Sequence, residues 1–286
     1  IQYNTLVSKV FIFTSNIKSK MDHMIDTNLI LKEIKDNGFY ILKNFLSKEK
    51  CNFFVNQLNV IQEIRVKKNE FIGNSDNQVL YNYFIENDAL LDFIYNENIF
   101  NIISKIIDED YVLTTASARN KFFNKKLNVK DITSGIGWHT DGRYLINNRR
   151  IKPSLSYFVI YMLEDFNIKN GATQYVPNSH KLSARPIRNK NYNFKTFNAK
   201  AGSVLIMDTA LYHRAGLSSS LSRWSIFNMY SSWFVKPYFQ FNKMFTKNQL
   251  SNMSPKLKQM FHLDSTPPLN HKKHRATLKR VQSLNI

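Results

Sequence analysis

The residues that could carry out chemistry lie in the stretch 135–142, which reads Gly-Ile-Gly-Trp-His-Thr-Asp-Gly. In extended backbone, successive side chains point to opposite faces, so His139 and Asp141 can share a face while Thr140 is turned away. An imidazole and a carboxylate directed at one point are two of the three ligands of a 2-His-1-carboxylate iron(II) site. The same spacing also fits a hydrogen-bonded core pair, so the rest of the chain has to supply a third ligand.

The third ligand has to come from the remaining histidines. His213 follows an apolar stretch, 204–207, and a tight turn, so it is the histidine best placed to return to the interior of the fold. The others lie in a turn, before the regular pattern or in the polar C-terminal region: His180, His23, His262, His271 and His274. The alternative for His213 is a satisfied core histidine that binds no metal.

A basic residue follows the candidate ligands. Arg223 lies ten residues after His213, and Ser225 shares its strand face because side chains alternate. A buried arginine is costly unless it is paired, and its planar guanidinium suits a carboxylate through two parallel hydrogen bonds. Arg223 is therefore a candidate for binding a dicarboxylate, and a plain salt bridge is the alternative.

Helical apolar spacing in the first part of the chain and strand-like apolar runs in the later part predict the elements that must position these residues. Before residue 110 the apolar spacing predicts helices over 27–35, 48–64 and 90–107, a short strand over 39–42 and a loop over 73–77. Later, apolar and β-branched residues predict strands over 111–119, 135–139, 156–163, 172–176, 203–207 and 224–234. Strands joined by turns without intervening helices indicate an antiparallel barrel or jelly roll, so the expected class is mainly β with helical support, α+β.

Composition indicates a single globular domain. A chain of 286 residues with 43% apolar content can bury a full core. We assign residues 27–265 to that domain, 1–26 to an N-terminal extension and 266–286 to a basic C-terminal tail. The single cysteine, Cys51, fits a buried thiol and a reducing, cytoplasmic compartment. No apolar run approaches the length of a membrane span.

The formal net charge of +19 raises nucleic acid as a partner. We favour a simpler explanation, a lysine- and asparagine-rich composition with solvated lysines, because the densest basic patch is at the C-terminus. Four basic residues near the metal motif are candidates for binding an anionic substrate, with a solvated loop as the alternative: Arg143, Arg149, Arg150 and Lys152. Asp208 and His180 are interpreted as turn and scaffold residues, and Trp138 as packing beside the site.

The set His139, Asp141, His213 and Arg223 resembles that of the phytanoyl-CoA dioxygenase-like family of iron(II)/2-oxoglutarate oxygenases. The segment 37–47 (NGFYILKNFLS) is similar to the N-terminal entry of that family. The segment 170–180 (NGATQYVPNSH) is similar to its asparagine-glycine to Pro-Gly-Ser-His stretch, and 202–208 (GSVLIMD) resembles the strand before its second histidine. The resemblance extends over most of the chain.

The resemblance implies a double-stranded β-helix with iron(II) held by His139, Asp141 and His213. Three protein ligands leave three positions for 2-oxoglutarate and O₂. Arg223 would hold the distal carboxylate of 2-oxoglutarate with help from Ser225. Relatives carry a cofactor-facing lysine at a place that corresponds to Asn120 and Lys121.

Several positions depart from the family pattern. Phe122 replaces a proline after Lys121, and Ser218 replaces a frequent asparagine between His213 and Arg223. Asn178 replaces the glycine of Pro-Gly-Ser-His, and asparagine tolerates a left-handed turn better than most residues. Asp141 is retained, which disfavours the related halogenases, where a small residue frees a site for halide.

The sequence thus predicts a non-haem iron(II) dioxygenase that couples oxidative decarboxylation of 2-oxoglutarate to hydroxylation of a small organic substrate, with succinate and CO₂ released. Two alternatives stay open. One is a non-catalytic barrel that binds a ligand or metal without turnover. The other is an oxygenase that acts on a nucleic acid.

Overall fold

The computed structural model describes residues 25–70, 72–74, 77–121, 137–142, 149–218 and 222–263. The predicted basic tail and most of the predicted N-terminal extension lie outside these ranges. Two antiparallel sheets form the centre of the described part, a seven-stranded sheet ordered β1-β8-β5-β10-β4-β3-β2 and a three-stranded sheet ordered β7-β6-β9. Their strands are β1 (Phe39–Leu42), β2 (Ile72–Asn74), β3 (Asn77–Tyr81), β4 (Val112–Lys121), β5 (Ser156–Met162), β6 (Gln174–Tyr175), β7 (Lys195–Thr196), β8 (Val204–Asp208), β9 (His213–Arg214) and β10 (Arg223–Ser231).

Five α-helices accompany the sheets, and their ends follow the capping residues of the sequence. They are α1 (Thr27–Asn37), α2 (Lys48–Lys67), α3 (Glu97–Ile106), α4 (Lys247–Asn252) and α5 (Pro255–Met260). The Ser47 hydroxyl accepts a hydrogen bond from the backbone of Lys50 and starts α2. Gly38 ends α1 in the left-handed conformation, with φ of 85°.

Two predictions for the first third of the chain were wrong. Within the loop predicted over 73–77, Gly73, Asn74 and Asn77 instead lie in strands, because β2 and β3 pair antiparallel there. The helix predicted over 90–107 is interrupted: a 3₁₀ helix covers Asp88–Phe93, and α3 starts separately at Glu97. Asn96 explains the restart, since its side chain accepts from the backbone N–H groups of Asn98 and Ile99.

Strand alternation gives the large sheet two buried faces. On β5, the odd-numbered residues Tyr157, Val159 and Tyr161 pack in the core on the helical side. The even-numbered residues Phe158 and Ile160 instead join a second core that includes side chains of the small sheet. The fold is therefore layered, with helices on one face of the large sheet and the small sheet on the other. This is the architecture of a double-stranded β-helix, as the sequence predicts.

Candidate metal centre

Backbone hydrogen bonds attach the His-Thr-Asp motif to the segment that links β8 and β9. His139 and His213 form an isolated antiparallel bridge, in which each N–H donates to the other's carbonyl at 3.0 Å. The N–H of Asp141 donates to the carbonyl of Thr209, also at 3.0 Å. Residues 74 and 68 positions apart in the sequence are thus held side by side by main-chain contacts.

The three side chains meet at one point, as the sequence predicts. One ligand atom from each of His139, Asp141 and His213 lies within 4.8 Å of the others. Ligand atoms in cis positions about 2.1 Å from a shared ion lie about 3 Å apart. That is the distance between Nε2 of His213 and Oδ2 of Asp141, 3.0 Å. Two nitrogens and one carboxylate oxygen form the donor set of the 2-His-1-carboxylate class.

The hydrogen bonds of the two imidazoles leave the correct nitrogens available. Nδ1 of His139 lies 3.1 Å from the carbonyl oxygen of Gly137, and Nδ1 of His213 lies 2.8 Å from that of Leu211. A carbonyl oxygen only accepts, so each Nδ1 carries a proton, and Nε2 is the ring nitrogen that a metal ion would use. Nε2 of His213 lies 3.0 Å from Oδ2 of Asp141, where the two atoms can share a cation.

The electrostatics of the triad favour the protonation states that bind metal. Burial alone would raise the pKa of Asp141, but the hydrogen bond from His213 and the nearby His213, His139 and Arg119 charges lower it to about 2. Desolvation, reinforced by the charge of His213, lowers the pKa of His139. An ionised carboxylate and a neutral imidazole are the forms that coordinate a metal ion.

An inner cavity of about 250 Å³ opens from the triad into the space between the two sheets. Its wall includes the three triad residues and a set of basic, polar and apolar side chains: Arg119, Lys121, Arg223, Asn77, Thr173, Ala215, Phe158, Met207 and Phe227. Only one acidic group, Asp141, lies among the described lining residues. The cavity therefore suits a small anion, and its opening to the triad places that anion beside the metal position.

Arg223 is held firmly in the wall of this cavity. It donates to the carbonyls of Asn170 at 3.1 Å and Gly171 at 2.8 Å, and to Oγ of Ser225 at 3.1 Å. Its guanidinium also lies over the Phe166 ring, 3.9 Å from the centroid. Burial, with the nearby charge of Arg119, lowers the pKa of Arg223 to about 9. Ser225 is fully buried and does not line the cavity, so it positions Arg223.

The structure separates Asn120 from Lys121. Lys121 lines the inner cavity, whereas the amide of Asn120 donates to Gln62 on α2 at 3.1 Å. Neighbouring residues of a strand face opposite sides, so a cofactor-facing Lys121 requires Asn120 to face the helices. Asn120 therefore lies away from the inner cavity, and a contact with a cofactor bound there stays a prediction for Lys121 alone.

Arg119 is a cavity residue that the sequence analysis missed. It lies on β4 two positions before Lys121 and shares its face, with the guanidinium 4.2 Å from the centroid of the Phe227 ring. Strand alternation applied back from Lys121 would have found it. Asn77 was missed because its segment was interpreted as a loop.

A second, outer cleft of about 350 Å³ lies on the other side of the motif. His139 and Asp141 line both cavities, so the inner cavity and this cleft meet at these two residues of the triad. The other lining residues are Trp138, Thr140, Gly142, Arg185, Pro186 and Tyr238. Trp138 is buried, as predicted for a packing residue, and Arg214 lies 4.3 Å over its ring.

Of the four basic residues proposed to bind an anionic substrate, the three that the structure describes line neither of the triad cavities. Arg143 lies outside the described residues, and Arg149 is exposed. Arg150 and Lys152 line a separate cavity, together with His180 and Asp208. The loop that follows the motif thus turns away from the metal centre in its described part, which corrects the expectation for Arg150 and Lys152.

The remaining sequence predictions concern packing. His180 hydrogen-bonds through Nε2 to the carbonyl of Lys35 at 3.1 Å, and Asp208 accepts from the N–H of Ala210 at 2.8 Å, as expected for scaffold residues. Asn178 adopts the left-handed conformation, with φ of 62°. Cys51 is a buried free thiol. None of the helices in the described residues combines the length and the apolar character needed to cross a membrane.

Several solved structures share the fold of this chain. HygX from Streptomyces hygroscopicus, with nickel and 2-oxoglutarate bound, superposes with a TM-score of 0.59 and 13% identity, covering 74% of this chain and 89% of its own. The epimerase SnoN, in complex with Fe³⁺, α-ketoglutarate and nogalamycin RO, gives 0.55 and 13%, covering 74% and 86%. A HygX complex with nickel, 2-oxoglutarate and hygromycin B gives 0.55 and 11%, covering 74% and 89%.

Sequence comparison identifies the family. No curated protein sequence matches the chain significantly. The phytanoyl-CoA dioxygenase (PhyH) family model matches residues 34–224, a span that contains the triad and Arg223 and covers most of the described sheets. The chain therefore belongs to the phytanoyl-CoA dioxygenase family.

Proposed function

We propose that this protein is an iron(II)- and 2-oxoglutarate-dependent dioxygenase that hydroxylates a small organic substrate. The observation that carries the proposal is the position of the triad. His139, Asp141 and His213 converge where a basic inner cavity meets an outer cleft. A metal ion held by the triad would be accessible from both cavities, which gives a cosubstrate and a substrate separate places beside it.

The inner cavity is the proposed site of 2-oxoglutarate. Arg223 binds the distal carboxylate, because it is the buried guanidinium of the wall and its direction is fixed by three hydrogen bonds. Lys121 and Arg119 supply further positive charge to a dianionic cosubstrate. Ser225 contributes by orienting Arg223 rather than by touching the cosubstrate.

The triad is the proposed iron site. Nε2 of each histidine and one oxygen of Asp141 bind the ion, and the carbonyls of Gly137 and Leu211 fix the two imidazole rings. Bound iron(II) supplies the activation of O₂ that couples 2-oxoglutarate decarboxylation to substrate oxidation. The apolar side chains Phe158, Met207 and Phe227 restrict water around the cosubstrate.

The outer cleft is the proposed substrate site. Its wall combines an aromatic residue, Tyr238, with Arg185 and Thr140, a mixture that suits a polar organic molecule. The ligands of HygX and SnoN, hygromycin B and nogalamycin RO, support a small-molecule substrate. SnoN is an epimerase, so stereochemical inversion is the second candidate outcome at the same site.

The test is succinate formation from 2-oxoglutarate with iron(II) and O₂, first without and then with a panel of small organic substrates. We expect wild-type turnover and a loss of more than about 100-fold in His139→Ala, Asp141→Ala and His213→Ala. The matched controls are His262→Ala and Asp165→Ala, a histidine and an aspartate outside the lining of both triad cavities. Full activity in His213→Ala would contradict the ligand assignment.

Product analysis separates the candidate reactions. Hydroxylation adds one oxygen atom from O₂ to the substrate, whereas epimerisation leaves the substrate mass unchanged. A protein that binds iron and 2-oxoglutarate but forms no succinate with any substrate would be the non-catalytic binding barrel. Steeply salt-dependent binding of DNA or RNA, with turnover stimulated by it, would identify the nucleic-acid oxygenase instead.

A further inference from the structure

A third cavity, of about 580 Å³, lies apart from the metal centre. It is bounded by α1, by the segment 150–157 and by the end of β8. Among the described residues, its lining shares no member with the inner cavity or the outer cleft of the triad. Neither the family assignment nor the proposed dioxygenase reaction gives this cavity a role.

Arg150 is the unusual residue of this cavity. Arg150 is only 9% exposed, and its Nε and Nη1 atoms are buried. Neither atom has a hydrogen-bond partner in the described part of the chain. Burial of a charged group without acceptors is unfavourable, because the group loses its water without replacement. Oxygen atoms of a bound anion would supply the missing acceptors.

The charges around Arg150 also favour an anion. Lys35, Lys152 and Lys181 line the same cavity and add three ammonium groups. The single carboxylate among the described lining residues is Asp208, which accepts hydrogen bonds from Ser154 and from the N–H of Ala210, the latter at 2.8 Å. It attracts Arg150 electrostatically but accepts no hydrogen bond from Nε or Nη1 of Arg150. Lysines and arginine therefore outnumber the carboxylate four to one.

The remaining wall is apolar. Leu31 and Ile34 from α1, together with Ile106 from α3, face the cavity beside Pro153 and the ring of Tyr157. Inorganic ions gain nothing from such a surface, whereas a hydrocarbon or aromatic group loses unfavourable contact with water there. The cavity thus combines a cationic part with an apolar part.

We propose that this cavity binds an organic anion, with a carboxylate or phosphate ester group at Arg150 and an apolar body against Leu31, Ile34 and Ile106. The site is distinct from the proposed 2-oxoglutarate site. It would be occupied independently of the triad, since no lining residue is shared.

The experiment measures binding by isothermal titration calorimetry to the full chain, with the triad saturated by manganese(II) and 2-oxoglutarate. The probes are phenyl phosphate and benzoate, and their compact counterparts are inorganic phosphate and acetate. The critical variant is Arg150→Gln, and the matched control is Arg149→Gln, which changes the adjacent, exposed arginine. We expect at least one aromatic probe to bind the wild type and Arg149→Gln equally, and Arg150→Gln at least tenfold more weakly.

Each result decides the proposal. No binding of either aromatic probe to the wild type, or equal binding to Arg150→Gln, would overturn it. Compact anions that bind as tightly as the aromatic ones would overturn the apolar part of the site. If Arg150→Gln does not fold, Lys152→Gln takes its place, because Lys152 is exposed and lines the same cavity. Its binding should then fall by about threefold, and an unchanged affinity would contradict the site.

Discussion

At the scale of single residues, Arg223 shows how a charge is kept inside a β-fold. All three of its described hydrogen-bond acceptors are neutral: two main-chain carbonyls and one hydroxyl. They engage three of its five N–H donors and fix its orientation, but they do not neutralise its charge. Burial and the charge of Arg119 lower the pKa of Arg223, and the charge of Glu164, the smallest of these three influences, raises it. A cosubstrate carboxylate in the inner cavity would therefore be the main counter-ion of Arg223.

Arg223→Lys tests this role while the positive charge is preserved. An ammonium group cannot reproduce the planar set of donors, so we expect the KM for 2-oxoglutarate to rise by about 10- to 100-fold. The maximal rate of succinate formation should change much less, because the triad is intact. Steady-state kinetics with varied 2-oxoglutarate provide the measurement, and Arg149→Lys is the control. An unchanged KM would exclude Arg223 as the carboxylate ligand.

At the scale of the strand, the alternation of side chains determines which of these residues meet. On β10, Arg223 and Ser225 face the inner side with Phe227, whereas Trp224 and Ile226 pack in the helical core. On β4, Arg119 and Lys121 face the cavity, and Asn120 faces α2. One alternation rule therefore explains why Ser225 shares a face with Arg223 and why Asn120 lies away from the cavity.

The variants Asn120→Ala and Lys121→Met test whether the two residues face opposite sides of β4. Lys121→Met removes a cation from the cavity wall, so we expect a KM for 2-oxoglutarate raised by about tenfold. Asn120→Ala removes the hydrogen bond to Gln62, which should lower the free energy of unfolding by about 1 kcal/mol and leave the KM unchanged. Denaturant unfolding and steady-state kinetics on both variants give the answer. The opposite pattern would mean that β4 has the other register.

Gly171 is the element-scale position where backbone geometry supports the site. It has φ of 69°, and an added Cβ would lie 2.8 Å from the backbone nitrogen of Ser218 and 2.9 Å from the oxygen of Gly216. Its carbonyl accepts a hydrogen bond from Arg223. The turn therefore needs a residue without a side chain, and a displaced turn would move the Arg223 acceptor.

We expect Gly171→Ala to lower the free energy of unfolding by about 1–3 kcal/mol. The KM for 2-oxoglutarate should rise at the same time. The comparison variant is Gly142→Ala, where the added carbon would lie 3.5 Å from the nearest atom, the carbonyl oxygen of Thr209. Gly142→Ala should lose less stability in the same denaturant experiment. Equal losses would show that the turn at Gly171 has no special requirement.

The extent of sequence prediction also differs among elements. The long strands β5, β8 and β10 could be predicted within one to three residues, because both of their faces are buried and their apolar runs are continuous. The β2–β3 hairpin could not be predicted, since its strands pair at the edge of the sheet and carry polar residues such as Asn77 and Gln78. The triad could be identified because liganding residue types are rare, whereas Arg119 resembled any strand arginine.

At the scale of the whole molecule, the two sheets place the metal triad between two cavities that need not fill together. The inner cavity has Arg223, and both cavities share His139 and Asp141. Binding of 2-oxoglutarate should therefore depend on the metal ion, through direct coordination, as well as on Arg223. Metal binding should depend on the triad alone.

Thermal unfolding can test whether 2-oxoglutarate binding depends on the metal ion and on Arg223, while metal binding depends on the triad alone. A ligand at 100 times its Kd stabilises the folded state by about 2.7 kcal/mol, which corresponds to about 5 °C in Tm for a chain of this size. For the wild type we expect manganese(II) to raise Tm and 2-oxoglutarate to raise it again, while 2-oxoglutarate alone has a small effect. His213→Ala should lose both increments. Arg223→Lys should keep the first increment and lose most of the second, and a second increment that survives in both variants would place 2-oxoglutarate outside the inner cavity.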